Sequence, residues 1–437
     1  MDSYFNTSQF KQLLQNYENL RDKGICSYID AEEFYDIADY YQMLGEPQKA
    51  LEAIDMSLKI FPGSALPLCF KARIILIAEN NPKKAEELIE QVADKSNMEY
   101  AYTKAEIMLG DNKPQQADRY LKERMKTFGG DEEDFILDCA SIFADYNEYD
   151  LAEQWLKRST LTEDDDYKDI QARILMDRGM FDESERIINE LIDRDPYSNM
   201  YWNRLASSQF LRNNIRDSIT SSEYSLAINP KDEEALLNKA NGLFSLGNYE
   251  EAKNYYERFL KIQPNHGGVL QEMAFLESRL GHPELAMEYI DKAEENGIDK
   301  ELATVTRGYI QLENDNPEET ESYFRKALID SHSSPKVIYY IAIAIYDVGY
   351  LPVAKKLLGM LLKDAAPQWK DGYAYYARCC FELDSMREYL LALKTAVMKN
   401  PDEARAILGD LYPEGTNPED YLSMPPVPPE SDENIPH

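Results

Sequence analysis

Catalytic chemistry needs convergent nucleophiles, bases or ligands, and this chain offers few. Its four histidines, His266, His282, His332 and His437, are scattered, and none has a second ligand at metal spacing. Five cysteines, Cys26, Cys69, Cys139, Cys379 and Cys380, form neither a CxxC pair nor an even-numbered framework, which predicts buried thiols in a reducing compartment. Cys379 and Cys380 are adjacent, and neighbours on a helix point their thiols apart, so packing is expected rather than redox chemistry. No phosphate loop of the GxxxxGK type, no HExxH and no GxSxG occurs. Carboxylates number 80 against 47 Lys and Arg, and in such abundance no single acidic pair marks a catalytic dyad. The expectation is a protein that is not an enzyme, with no cofactor and no metal, whose work is binding.

The formal net charge of −33 constrains the partner. Sequence-independent nucleic-acid binding rests on neutralising phosphates with Lys and Arg, so it is disfavoured. The plain account of the charge is a solvated, highly soluble surface, and the sharper one is attraction to a protein or peptide partner with a basic segment. Much of the acid falls where helices should begin, as in Asp131–Asp134 and Glu163–Asp166, where the helix dipole welcomes it. The start MDSYFNTSQFKQLL has no basic region followed by an apolar core, so it does not read as a secretory signal. The most apolar run, Val337 to Tyr346, is ten residues long, whereas a membrane span needs about 20. These features predict a cytoplasmic protein without membrane insertion.

A regular spacing of small residues must position whatever site there is. In Asp232 to Pro264, Leu236, Ala240 and Leu243 recur at helical spacing, Gly247-Asn248 breaks the helix, and Ala252, Tyr256 and Phe259 mark a second one. Stepping about 34 residues from Ala240 gives Ala38, Ala72, Ala105, Ala140, Ala172, Ala206, Ala274, Gly308, Ala342 and Ala377. Ala252 recurs as Ala50, Ala85, Ala117, Ala152, Ser184, Ser218, Ala286, Thr320, Ala354 and, less faithfully, Tyr389. Small residues in register on two helices let their backbones approach closely. Helix pairs of this kind cannot bury both apolar faces alone and must stack on neighbours.

Trp202, Leu205 and Ala206 match the front of a known repeat signature, and Ala252, Tyr256 and Pro264 match its back. On these residues and the period, the chain resembles the tetratricopeptide repeat family over about residues 31 to 401. The resemblance implies an all-α, right-handed superhelical solenoid of eleven repeats. A leading helix, roughly Ser8 to Asp22 within residues 1–30, should cap the first repeat, which opens on the capping box Asp30/Glu33. Residues 402–411 should form a C-terminal capping helix. Residues 412–437, with seven prolines and an acidic bias, should be a disordered tail, in which Pro425 to Pro429 is a ready polyproline II segment. No composition shift divides the array, and the loop Thr160 to Asp166 is the best candidate for a bend.

In relatives of this kind the first helix of each repeat lines a concave groove. That implies a stripe three before, one after and four after each small marker. In the N-terminal half the stripe reads Tyr35, Asp39, Gln42; Cys69, Arg73, Leu76; Tyr102, Glu106, Leu109. In the C-terminal half it is more apolar and aromatic, and Phe244, Phe275, Tyr309, Tyr339, Ile343 and Tyr346 are the candidate partner-binding residues. Burial by the neighbouring repeat is the competing account of the same rings. Glu272 and Glu313 are expected to rim this apolar floor. Family members that grip acidic chaperone tails use a Lys/Asn clamp, but Glu272 stands where a cation is wanted beside Asn203, Ser207 and Asn238, which argues against that subtype. The expected function is a non-catalytic adaptor or scaffold binding a peptide in the groove. The alternative is a regulatory or sensor subunit whose groove holds its own C-terminal tail until a partner displaces it.

Overall fold

The small markers become the tightest points of successive helix pairs. The computed structural model describes residues 4–24, 28–44, 46–79, 81–127, 129, 131–413 and 416–426. A solitary α1 (Ser8–Lys23) precedes the first pair, α2 (Ala31–Met43) and α3 (Pro47–Ile60). Next come α4 (Ala65–Glu79) with α5 (Pro82–Ile89), and α6 (Met98–Gly110) with α7 (Pro114–Met125). Then follow α8 (Glu132–Asp145) with α9 (Tyr149–Leu156), and α10 (Asp165–Asp177) with α11 (Phe181–Arg194). The middle pairs are α12 (Asn199–Leu211) with α13 (Ile215–Ile228), and α14 (Glu233–Ser245) with α15 (Tyr249–Ile262). Beyond them stand α16 (Gly267–Arg279) with α17 (Pro283–Glu295), and α18 (Lys300–Glu313) with α19 (Pro317–Asp330). The last pairs are α20 (Pro335–Asp347) with α21 (Leu351–Lys363), and α22 (Tyr373–Glu382) with α23 (Met386–Lys399), before α24 (Pro401–Leu408). No strand occurs among the described residues.

Every alanine of the first marker series is fully buried. At Gly308, which replaces it once, an added Cβ would overlap the Phe324 ring, so that site has no room even for a methyl. Where serine replaces alanine in the second series, the approach is visible as a bond. Ser184 Oγ donates to the Ala172 carbonyl at 2.9 Å, and Ser218 Oγ to that of Ala206 at 2.7 Å, each joining one marker to the other. Seven residues past the first marker the backbone turns left-handed at Asn112, Asn147, Gly179, Asn213, Gly247, Gly281, Asp315, Gly349 and Asp384. Gly, Asn and Asp are the residues that tolerate this conformation. One backbone event, repeated nine times, reverses the chain.

Ends are covered as well. Thr7 caps α1, whose Phe10, Leu13 and Tyr17 are buried against α2 and α3. Asp30 and Glu33 form the reciprocal capping box of α2. At the other end the structure differs from the expected disordered tail. Residues 418–423 wind into a 3-10 turn against α23 and α24, Tyr421 is buried, and its ring stacks on Tyr412 at 4.0 Å. Composition hid this because the partners of Tyr421, Leu408 and Leu411 among them, belong to the preceding helix and turn. Residues 427–437, with Val427 to Pro429 of the polyproline segment, lie outside the described residues.

By contact, the chain forms two units: residues 1–204 with 228–232, and residues 205–227 with 233–437. The division runs through α12 and α13 and leaves the Thr160–Asp166 loop inside the first unit. Ser208, Ser218, Ser221, Ser222 and Ser225 are all buried on these two helices.

Candidate functional site

The first helices of the second unit carry the aromatic stripe. Each of the six candidate residues lies one, three or four positions from a buried marker on a first helix, so it flanks the packed face rather than opposing it. Phe275 and Tyr309, from α16 and α18, meet edge to face at 5.3 Å. Arg279 lies over the Tyr309 ring, 5.7 Å from its centre. Tyr346 of α20 packs on Tyr375 of α22 at 5.1 Å, and Tyr339 touches Tyr375 and Trp369 at 6.3 and 6.2 Å. Phe244 instead packs on Tyr249 of its own repeat at 5.3 Å. Ile343 is half-buried.

Burial separates the six. Tyr309 is a core residue, only 4% exposed, whereas Phe244, Phe275, Tyr339, Ile343 and Tyr346 are half-buried. Tyr339 is further held by its hydroxyl, which donates to Glu403 at 3.1 Å. Glu403 also accepts from the backbone N–H groups of Gly372 and Ala374 at 2.8 and 3.2 Å. Gly372 has φ near +86°, and a Cβ there would press on Tyr339 and Leu358 at 3.3 and 3.1 Å, so the chain passes close behind the ring. Tyr339 is thus a wall of the site with a fixed orientation.

Carboxylates stand among these rings, not only around them. Glu313 is 10% exposed, accepts from Ser278 Oγ at 2.5 Å and pairs with Arg279 at 3.0 Å. Glu272 and Asp347 form no ion pair among the described residues. Burial raises the Glu272 carboxyl above the usual carboxylate range. Asp347 keeps access to solvent, yet the concave wall around it pushes its carboxyl up to about 6, with Glu313 adding to the effect and Arg279 opposing it. Tyr256 donates to Asn241 at 2.7 Å, and Gln271 to Thr306 at 3.2 Å, so neighbouring amides are already engaged.

Reading columns three before, one after and four after the marker missed Arg279 and Asp347, which lie five after it in the same column as the expected rim residue Glu313. The signal was available: i+4 and i+5 flank the same groove edge, and in three successive repeats the second of them is charged. Tyr375 and Glu272, two before their markers, extend the surface on the other side. No group of three or more His, Cys, Asp and Glu residues among those described could hold a metal ion. Cys69, Cys139, Cys379 and Cys380 are buried free thiols, with Cys379 and Cys380 in different core clusters. Burial pushes the Cys69 thiol up to about 11, away from nucleophilic use. No helix among the described residues is long and apolar enough to cross a membrane.

Residues 233–266, which span α14 and α15, match the family model of the tetratricopeptide repeat. The flanking pairs reproduce that segment's markers, turn and period, so the chain is a tandem array of repeats of this type. Among solved structures it is similar to the APC/C hetero-tetramer Cut9–Hcn1, at 15% identity over 86% of this chain and 76% of that one, with a TM-score of 0.45. It is also similar to a tetratricopeptide repeat protein from Parabacteroides merdae, at 17% identity over 56% and 97%, with a TM-score of 0.42. MamA from Desulfovibrio magneticus matches at 14% identity over 39% and 96%, with a TM-score of 0.37. No curated protein matches the chain.

Proposed function

We propose that the inner face of α14, α16, α18 and α20 binds a protein segment carrying Lys or Arg between apolar anchors, and that the chain is a non-catalytic scaffold. The observation that carries this is the pair Glu272 and Asp347. Both are carboxylates without an ion-pair partner among the described residues, set beside half-exposed rings and raised in pKa by their surroundings. A raised carboxyl is one whose charge lacks compensation, and an incoming ammonium or guanidinium supplies it. The rings of Phe275 and Tyr346 add apolar contact, and tyrosine faces attract cations at about 0.5–2 kcal/mol each. Tyr309 is left out of the contact surface and acts by supporting Phe275.

The test uses the full chain and two labelled synthetic peptides of equal length, with identical leucines and either lysines or glutamates between them. The Lys peptide should bind, and Glu272→Gln with Asp347→Asn should weaken it about tenfold, worth about 1.4 kcal/mol. Phe275→Ala should weaken it by a similar factor at unchanged helix content. Undiminished binding to the double carboxylate variant would place the site elsewhere.

A further inference from the structure

One surface outside the inner face opposes the charge of the whole chain. Helices α21 and α23 together carry six Lys and Arg and a single carboxylate, Glu388, in a protein of net charge −33. The two second helices immediately before them are acidic: α17 has five carboxylates against one lysine, and α19 has four against two cations. On α21, Val353, Lys356, Met360 and Lys363 are exposed at steps of three and four residues, which places them on one face. On α23 the same spacing exposes Arg387, Leu390, Leu391, Lys394 and Met398. The apolar members are well out in solvent, with Met360 61%, Leu391 66% and Met398 74% exposed. Lys355 bridges the two helices, reaching Glu388 at 2.7 Å and Ser385 Oγ at 3.2 Å. That bond pairs the one carboxylate and links α21 to the start of α23. Lys356, Lys363, Arg387 and Lys394 have no ion-pair partner among the described residues.

We infer that this face of α21 and α23 is a docking site for an acidic amphipathic helix of a partner protein. Helices of 13 and 14 residues present stripes about 20 Å long, the length of a partner helix of about four turns. Apolar anchors seven or eight residues apart, Val353 with Met360 and Leu390 with Met398, match the spacing of anchors on a helix laid along them. The four unpaired cations call for Asp or Glu between the partner's anchors. An anionic bilayer would satisfy the same cations but is a plane far wider than the patch. It would also meet the exposed Glu318, Glu319 and Glu321 of α19 and Asp402 of α24, which lie outside the basic stripes. A second copy docked through the same patch would set cation against cation.

The test uses the full chain with the Glu and Lys peptides described above, and vesicles of phosphatidylserine and phosphatidylcholine. The Glu peptide should bind, weakening at least tenfold between 50 and 300 mM salt, since exposed charges are screened within about 8–10 Å. Lys356→Glu with Lys394→Glu should abolish its binding. Met360→Ser with Leu391→Ser should weaken it about tenfold while keeping the salt dependence. All four residues are exposed, so melting temperatures should hold, and if the charge variant melts early the serine variant decides. Glu272→Gln with Asp347→Asn should leave Glu-peptide binding intact, which separates this face from the inner one. Absence of Glu-peptide binding, equal binding by the charge-reversal variant, or protein sedimenting with vesicles instead would overturn the inference.

Discussion

The inner faces of the two units treat charge differently. In the first unit, Arg73 stands between Glu99 and Glu106, bonding to Glu106 at 2.6 Å and to Glu99. Arg173 reaches Asp145 at 2.7 Å, Arg204 reaches Asp169 at 3.3 Å, and the Tyr102 hydroxyl donates to Asp138 at 2.7 Å. Each of these acids is answered by a donor from an adjacent repeat. In the second unit Glu313 is answered by Arg279 and Ser278, but Glu272 and Asp347 are not. Closed ion pairs in a half-buried wall serve the wall, and removing one partner strands the other. Charge left open in an otherwise similar wall is available to a partner. The contrast separates a face whose acids are paired from one that, on the proposed function, would receive a cationic partner.

The largest effect should come from breaking a closed pair. Arg73→Met leaves two half-buried carboxylates facing each other and should cost about 2–4 kcal/mol in the first unit, whereas Arg279→Met, with Ser278 still bound to Glu313, should cost about 1 kcal/mol. Hydrogen exchange resolved by segment measures both, and equal losses would erase the distinction between the faces. Next in size is overpacking. Ala274→Leu, at a fully buried marker, should destabilise α16 and α17 by about 1–3 kcal/mol. Unchanged exchange in those helices would contradict the close approach. Replacing Phe275, Tyr309 and Tyr339 together by Ala would be dominated by the loss of Tyr309 from the core, so Phe275→Ala alone is the sharper probe of binding.

The smallest effect is one of pH. Asp347 holds its proton more tightly in the folded chain than in the unfolded one. Its contribution to stability is therefore fully present below about pH 4 and is lost as pH rises through about 6. A cationic ligand needs the ionised form, so Lys-peptide affinity should rise between pH 5 and 7. Asp347→Asn should flatten that rise by a few-fold, leaving any remaining slope to Glu272. A profile identical in parent and variant would remove Asp347 from the site.

Much of the fold was legible because its determinants are local. Ala38 to Ala377 recur in register, and Gly, Asn or Asp seven residues on supply the left-handed turn, so both signals lie within one repeat. What escaped depends on residues far apart in the chain. Glu403 reaches back 64 residues to orient Tyr339, and no period announces it. Tyr421 was hidden in a proline-rich segment because its partner Tyr412 is visible only once the chain has folded back. The division at α12 and α13 was not legible because the 34-residue period runs through both helices without a break. The aromatic stripe was found, but its division into the core residue Tyr309 and half-exposed neighbours needed the actual stacking of repeats.

The stacked pair of Tyr412 and Tyr421 has a consequence for self-association. A repeat array ends in an apolar face shaped to receive another helix pair, and left bare it would accept one from a second molecule. Here two parallel rings, with α24 beside them, fill that socket from the same chain. Growth by end-to-end addition at this end would first have to peel both tyrosines away, so the covering works as a stopper against fibre formation.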